Sequence, residues 1–210
     1  MRSLAFVGDV HGSVEALDGI LDSLRAEAVG HLVFLGDYVN KGMGSRSVLD
    51  RLIPMMLDGS ATLLRGNHES ELVRAVDTQD LRVFLKMGGA ATVRSYADGN
   101  VGPDVLHDFL RAVPATHLDA IRRMPRRFHA SGIIAQHEPL GAVVHRMLGK
   151  FAVTAHRPVG TVPTIRSRSA EIDTGCGDDG GRLTAFLWPS REYVQVDIAG
   201  ARLTRDSPES

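Results

Sequence analysis

The sequence has little cysteine and no long apolar segment. Its single cysteine, Cys176, has no partner for a disulfide within the chain, which favours a reducing compartment. No apolar run reaches the roughly 20 residues that a helix needs to cross a bilayer. The four apolar residues before Gly8 are also too few for the core of a signal peptide. We therefore expect a cytoplasmic protein that has no membrane partner.

A strong net charge is also absent. Lysine and arginine total 24 and aspartate and glutamate total 25, which gives a formal charge of −1. Because no basic field covers the whole chain, a nucleic-acid partner is not expected. One local basic cluster remains, which we interpret as the solvated end of a helix. It comprises Arg122, Arg123, Arg126 and Arg127.

The length and composition are those of a globular protein. An apolar fraction of 43% and a charged fraction of 23% exclude wholesale disorder. A chain of 210 residues can bury a substantial core in one domain. We expect that single domain over residues 1–200, followed by a flexible polar tail at residues 201–210.

Three short apolar runs each end in glycine followed by a polar side chain. They lead into GDVHG at residues 8–12, GDYVNKG at residues 36–42 and GNHE at residues 66–69. Apolar residues at helical spacing follow the first two motifs, so residues 4–65 predict a βαβαβ unit. Parallel strands of such a unit end at one edge of the sheet, where ligands bind. The three motifs should therefore meet in space.

The rest of the chain divides into a helical part and a strand-rich part. Residues 69–124 are mostly helical in pattern, and residues 128–136 predict a β-hairpin around Ser131 and Gly132. Further short strands are predicted at residues 152–154, 161–165, 171–173, 183–187 and 193–198. The glycine-rich segment 175–181 leads into a strand and has no Gly-Lys-Ser/Thr end, so it is a connector rather than a phosphate cradle.

Donors of the kind that bind divalent metals follow five of the predicted strands. Any one of them alone is more often an ordinary turn or core residue. Together, carboxylate, amide and imidazole groups from separate strand ends indicate a dinuclear metal site. The candidates are Asp9, His11, Asp37, Asn67, His137 and His156. The remaining histidines lack this context, and we expect them to be surface or core residues.

The three motifs resemble the N-terminal signatures of the calcineurin-like metallophosphoesterases, in particular the bacterial serine/threonine phosphoprotein-phosphatase branch. Weaker similarity extends through residues 88–96, His137, residues 156–159 and residues 173–183, so it spans nearly the whole chain. The resemblance implies an α/β fold of two mixed β-sheets packed as a sandwich and flanked by helices. It also implies hydrolysis of phosphomonoesters by a hydroxide that bridges two metal ions.

The resemblance further implies a role for each candidate residue. One ion would be held by Asp9, His11 and Asp37. The second ion would be held by Asp37, Asn67, His137 and His156, so that Asp37 bridges the two. Manganese is the expected metal, and iron or zinc would also suit these donors. His68 would be the general acid that protonates the leaving group.

Two residues depart from the family pattern. Asn40 and Lys41 stand where the eukaryotic-type signature has aspartate and arginine. Asn40 can orient His68 but cannot favour its charged form, which predicts slow expulsion of poor leaving groups. Lys41 can neutralise a phosphate, although not as a bidentate fork. Asn67 and Arg146, the only arginine between the last two metal histidines, complete the predicted phosphate-binding set.

Three functions are compatible with these residues. The first is a phosphomonoesterase, with phosphoserine or phosphothreonine proteins as one candidate substrate. The second is a diadenosine tetraphosphatase or another small-molecule phosphoesterase, since such enzymes share the three motifs. The third is a catalytically silent binding scaffold, which the complete ligand set disfavours. The motifs predict the reaction class and leave the phosphorylated substrate open.

Overall fold

The computed structural model describes residues 3–97, 104–139 and 149–203. Its strands are β1 (Leu4–Val7), β2 (His31–Phe34), β3 (Ala61–Leu63), β4 (Arg127–Ala130), β5 (Ile133–Gln136), β6 (Phe151–Thr154), β7 (Thr164–Ile165), β8 (Ser169–Glu171), β9 (Arg182–Trp188), β10 (Tyr193–Asp197) and β11 (Arg202–Leu203). Its helices are α1 (Val14–Arg25), α2 (Ser45–Leu57), α3 (Asn67–Thr78), α4 (Arg82–Phe84), α5 (Ala90–Tyr96), α6 (Val105–Ala112) and α7 (Ala115–Arg123). A π-helical turn, Leu85–Gly89, joins α4 to α5.

The strands form two mixed sheets. The first has the order β11-β10-β9-β1-β2-β3, and the second has the order β4-β5-β6-β8-β7. Strands β1, β2 and β3 are parallel, which confirms the predicted βαβαβ unit. Strands β4 and β5 form the predicted antiparallel hairpin, while β5, β6 and β8 run parallel.

The core explains why the sheets pack as a sandwich. All four residues of β1 are buried, and because side chains alternate along a strand they serve two different cores. Ala5 and Val7 pack against the helices that cover the first sheet. Leu4 and Phe6 pack between the two sheets with apolar residues of the second sheet, such as Val153. This arrangement confirms the predicted α/β sandwich with flanking helices.

Some predicted boundaries differ from the structure. The strand expected at residues 171–173 lies two residues earlier, at β8, and the strand expected at residues 161–165 is limited to β7. The flexible tail predicted at residues 201–210 does not begin at residue 201, because Arg202 and Leu203 pair with β10. Residues 204–210 lie outside the described ranges. The arginine cluster is not a single helix end, because α7 ends at Arg123 and Arg127 begins β4.

No helix in the described part of the chain is long and apolar enough to cross a membrane. The longest of them, α2, has 13 residues.

Close approach of two loops brings the ends of β2 and β3 together. Gly36, which follows β2, has a φ of +115°, and a methyl group on its Cα would lie 2.6 Å from the Gly66 nitrogen. A side chain at residue 36 would therefore push apart the two loops that carry Asp37 and Asn67.

We predict that Gly36→Ala lowers the free energy of unfolding by about 2 kcal/mol more than Gly59→Ala does, because it adds a steric clash to backbone strain. Gly59 is the matched control, since its φ is also positive (+79°) and an added Cβ meets nothing within 4 Å. Urea denaturation measures both values. Equal losses in the two variants would show that the loop contact does not constrain the fold.

Candidate metal centre

The predicted metal ligands lie at the carboxyl ends of parallel strands in both sheets. Asp9 follows β1, and Asp37 follows β2. Asn67 is the first residue of α3, beyond the end of β3. His137 directly follows β5, and His156 lies two residues after β6. The edges of the two sheets therefore meet at these side chains, as the sequence predicts.

Left-handed backbone conformations concentrate at this edge. Eight non-glycine residues in the described ranges have a positive φ. Five of them belong to the site: His11 (45°), Asp37 (55°), Asn40 (74°), Lys41 (57°) and His156 (74°). Such conformations cost of order 1 kcal/mol or more each and cluster at functional sites, where surrounding contacts impose them. The left-handed residues thus make sharp turns in the loops that carry the candidate metal ligands.

One group of donors surrounds a single point. Asn67 Oδ1 lies 2.8 Å from His137 Nε2 and 3.0 Å from His156 Nδ1, and the two histidine nitrogens are 3.1 Å apart. Asp37 Oδ2 lies 3.2 Å from His137 Nε2. Ligands about 2.1 Å from a metal and at right angles to one another are about 3 Å apart. These four side chains, which are those predicted for the second ion, therefore fit a divalent transition metal.

A second group shares Asp37. His11 Nε2 lies 3.9 Å from Asp37 Oδ2 and 3.7 Å from Asp9 Oδ2. His68 Nε2 is also 3.7 Å from Asp37 Oδ2, and the donors of His11, Asp37 and His68 all lie within 4.8 Å of one another. The structure thus brings together the predicted ligands of the first ion and places His68, the predicted general acid, against them.

Buried atoms without partners also point to cations. Within the described residues, Asp9 Oδ1 and His137 Nδ1 are buried and have no hydrogen-bond partner. The carboxylates of Asp9, Asp37, Glu69 and Asp173 are all buried in this region. Burial, followed by the negative charges of Asp37 and Asp173, raises the pKa of Asp9 well above its usual value. Buried carboxylates in such number are costly unless paired or bound to metal.

The neighbouring imidazoles keep Asp37 charged, and the ring of His11 is itself in the form that binds metal. Burial alone would raise the pKa of Asp37, but the neighbouring His137, His68 and His11 bring it to about 2. Burial lowers the pKa of His11 to about 4, so its ring is neutral at pH 7. Neutral imidazole and ionised carboxylate are the forms that bind a metal ion.

Glu69 is a structural residue of the site whose role the sequence does not reveal. Its carboxylate accepts hydrogen bonds from the backbone N–H groups of Asp37 (2.8 Å), Tyr38 (2.7 Å) and Gly66 (3.1 Å). It therefore joins the loop after β2 to the start of α3. Glu69 is the last residue of the GNHE motif, so the motif marks it as a candidate. The motif does not reveal which backbone groups the Glu69 carboxylate binds.

Asn40 is oriented by groups that the sequence did not reveal. Thr92 Oγ1 donates a hydrogen bond of 2.8 Å to Asn40 Oδ1, and Asn40 Nδ2 donates one of 3.2 Å to the Met87 carbonyl. These contacts turn Nδ2 toward His68 Nδ1, 2.7 Å away. Since an amide nitrogen can only donate, His68 Nδ1 accepts, and the proton of the neutral ring lies on Nε2. Asn40 thus orients His68, as predicted, and favours its neutral form.

The predicted phosphate-binding residues Lys41 and Asn67 differ in the contacts that they already make. Lys41 Nζ is paired with Asp178 Oδ2 at 2.7 Å, an ion pair to the glycine-rich connector. Asn67 turns its oxygen toward the two histidines, so its Nδ2 remains to donate to a phosphate. Arg146 lies outside the described residues.

Three curated relatives carry the name asymmetrical bis(5'-nucleosyl)-tetraphosphatase PrpE. The protein of Bacillus velezensis is 25% identical, and the match covers 91% of this chain and 91% of that protein. The protein of Halalkalibacterium halodurans is 27% identical, with 90% and 92% covered.

Solved structures support the same fold. A protein provisionally named a diadenosine tetraphosphatase superposes with a TM-score of 0.67 at 18% identity, over 93% of each chain. A cold-active protein-tyrosine phosphatase of a psychrophilic Shewanella species gives 0.55 at 16% identity, over 97% of this chain and 80% of that one.

The sequence model of the calcineurin-like phosphoesterases matches residues 2–165, which include the three motifs and all six candidate metal ligands. The chain therefore belongs to the calcineurin-like phosphoesterase family and is a metal-dependent phosphoester hydrolase.

Proposed function

We propose that this protein uses two divalent metal ions, with manganese expected, to hydrolyse bis(5'-nucleosyl) tetraphosphates. The observation that carries the reaction is the convergence of two donor groups on Asp37. The substrate is supported by the tetraphosphatase name of relatives that match about nine-tenths of the chain. Hydrolysis of phosphoserine or phosphothreonine in proteins stays a prediction, and the same experiment tests it.

The environment of His68 also favours such a substrate. Burial lowers the pKa of His68, and Asn40 donates to its Nδ1, so the charged imidazolium is disfavoured. A neutral ring is a weak acid and assists poorly when a serine or threonine alkoxide must leave. A nucleotide phosphate leaves as a stable anion and needs little protonation. The site therefore matches cleavage between phosphates better than cleavage of an alkyl ester.

The residues of the chain can be assigned complementary tasks. Divalent ions held by the six ligands would neutralise phosphoryl charge and lower the pKa of coordinated water. Asn67 Nδ2 and Lys41 would hold phosphate oxygens by hydrogen bonding and charge. His68 would donate a hydrogen bond from its Nε2–H to the departing oxygen. Asn40 and Thr92 would keep the His68 ring in the orientation that this hydrogen bond needs.

We expect manganese-loaded protein to cleave diadenosine tetraphosphate with a kcat/KM at least about tenfold above those for p-nitrophenyl phosphate and a phosphothreonine peptide. Chelation should abolish turnover, and added manganese should restore it. Metal analysis should find two ions per wild-type chain and fewer in Asp37→Asn, which removes the shared ligand charge. Preference for the peptide, or turnover that survives chelation, would contradict the proposal.

The assignment of His68 predicts an effect that depends on the leaving group. His68→Ala should slow glycerol phosphate hydrolysis about tenfold, but p-nitrophenyl phosphate hydrolysis less than about twofold, because nitrophenolate leaves without protonation. Steady-state kinetics on both substrates measures the difference. His129→Ala is the control, since His129 is exposed on β4. Equal losses on the two substrates would argue against a role as general acid.

The ion pair of Lys41 with Asp178 should compete with substrate. We expect Asp178→Asn to lower KM about two- to threefold, because it frees Lys41 to bind substrate. The effect is small because an exposed ion pair contributes at most about 1 kcal/mol of free energy. Asp179→Asn removes the same charge from the adjacent exposed residue and should have a smaller effect. The difference between the variants should disappear at high salt. A KM that rises in Asp178→Asn would show that Lys41 needs this partner.

A further inference from the structure

A cavity of about 370 Å³ opens beside the metal centre. This volume is in the range of small-molecule sites, about 300–1,000 Å³. Two of its walls are Asn67 and His137, which belong to the donor group of the second ion. His68, Asn40 and Lys41 do not line it. The cavity therefore meets the reaction centre on the side of the second donor group.

Three segments of the chain build this cavity. The backbone N–H of Arg65 donates a 2.9 Å hydrogen bond to the carbonyl of Pro125, which joins the end of β3 to the segment before β4. Arg127 is the antiparallel partner of Gln136, so their side chains are neighbours on one face of the second sheet. Gln136 Nε2 in turn donates to the Glu138 carbonyl at 2.6 Å. The walls are thus fixed by strand pairing and backbone contacts.

The charge of the cavity is predominantly positive. Arg65, Arg126 and Arg127 line it, against one carboxylate, the exposed Glu138. Within the described ranges, no ion pair involves any of the three arginines, and the buried Nε of Arg65 has no hydrogen-bond partner. Burial and, secondly, the nearby charge of Arg126 lower the pKa of Arg65. Three positive charges that line one cavity and form no ion pair among the described residues favour a bound anion.

We propose that Arg65, Arg126 and Arg127 form a subsite for the phosphates of a polyphosphate substrate that are not cleaved. The inference rests on the proposed function and names the residues that would select its substrate. A phosphoryl group at Asn67 and His137 would place an adjoining phosphate chain at the mouth of this cavity. Guanidinium groups bind such oxygens with two parallel hydrogen bonds, which suits several neighbouring phosphates.

A monoester offers this subsite no phosphate beyond the one that reacts. The three arginines should therefore affect a dinucleoside tetraphosphate strongly and p-nitrophenyl phosphate little. A phosphopeptide with acidic neighbours could present similar charges, but its carboxylates are singly charged and separated by backbone. The contiguous charge of a polyphosphate fits three arginines that line one cavity better.

The test compares Arg126→Ala, Arg127→Ala and the double variant with Arg123→Ala, an exposed arginine of the same sequence stretch that does not line the cavity. We expect KM for diadenosine tetraphosphate to rise about fivefold in each single variant and about 20-fold in the double variant. KM for p-nitrophenyl phosphate should stay within about twofold of wild type in all of them. Thermal denaturation checks that each variant is folded.

A second measurement separates this inference from the proposed function. Inorganic tripolyphosphate should inhibit p-nitrophenyl phosphate hydrolysis, and its inhibition constant should rise at least about tenfold in the double variant. If wild type does not cleave the dinucleotide, the proposed function fails while the inhibition still tests the subsite. Unchanged inhibition, or equal losses on both substrates, would overturn the subsite. A selective loss confined to an acidic phosphothreonine peptide would reassign it to phosphoproteins.

Discussion

The carboxylate and backbone of Asp37 are the point on which the site depends. Its main-chain oxygen accepts hydrogen bonds from Val10 (3.1 Å) and His11 (2.9 Å), so it holds the loop after β1. Its Oδ1 accepts the N–H of His68 at the start of α3, where a helix favours negative charge. Its Oδ2 faces His137 of the second sheet. One residue therefore connects the elements that carry both donor groups.

The packing of the two sheets makes this convergence possible and explains why the loops at the strand ends adopt left-handed backbone conformations. Donors must lie about 3 Å apart to share an ion, yet they come from two sheets whose facing surfaces are filled by side chains such as Phe6 and Phe186. Only the strand ends can approach closely enough. Sharp left-handed turns at Asp37 and His156, together with the contact between Gly36 and Gly66, close the remaining distance. Contacts of Glu69 and Thr92 then fix the turns.

The local motifs predicted which side chains converge at this edge, because each candidate ligand lies within about four residues of the end of a strand. Asp9, Asp37 and His137 were identifiable from an apolar run and the polar residue at its end. The role of Thr92 was not, since its contact with Asn40 joins residues 52 positions apart. The short strands near residue 170 were misplaced by two residues because little local pattern marks them. Hydrogen-bond partners that are distant in the sequence therefore could not be predicted from the sequence alone.

The contrast between local motifs and tertiary contacts also applies to function. Local motifs predict the reaction, whereas the residues proposed to select the substrate come together only in the folded protein. The candidate metal ligands and His68 lie in local motifs, and those motifs predict the chemistry but not the molecule it acts on. The arginine cavity combines Arg65, at the end of a strand in the first sheet, with Arg127, at the start of a strand in the second. Neither residue belongs to a metal-binding group, and their proximity depends on the packing of the sheets. Under the proposed assignment, the choice of substrate would therefore depend on the cavity, and the chemistry would depend on the candidate metal ligands.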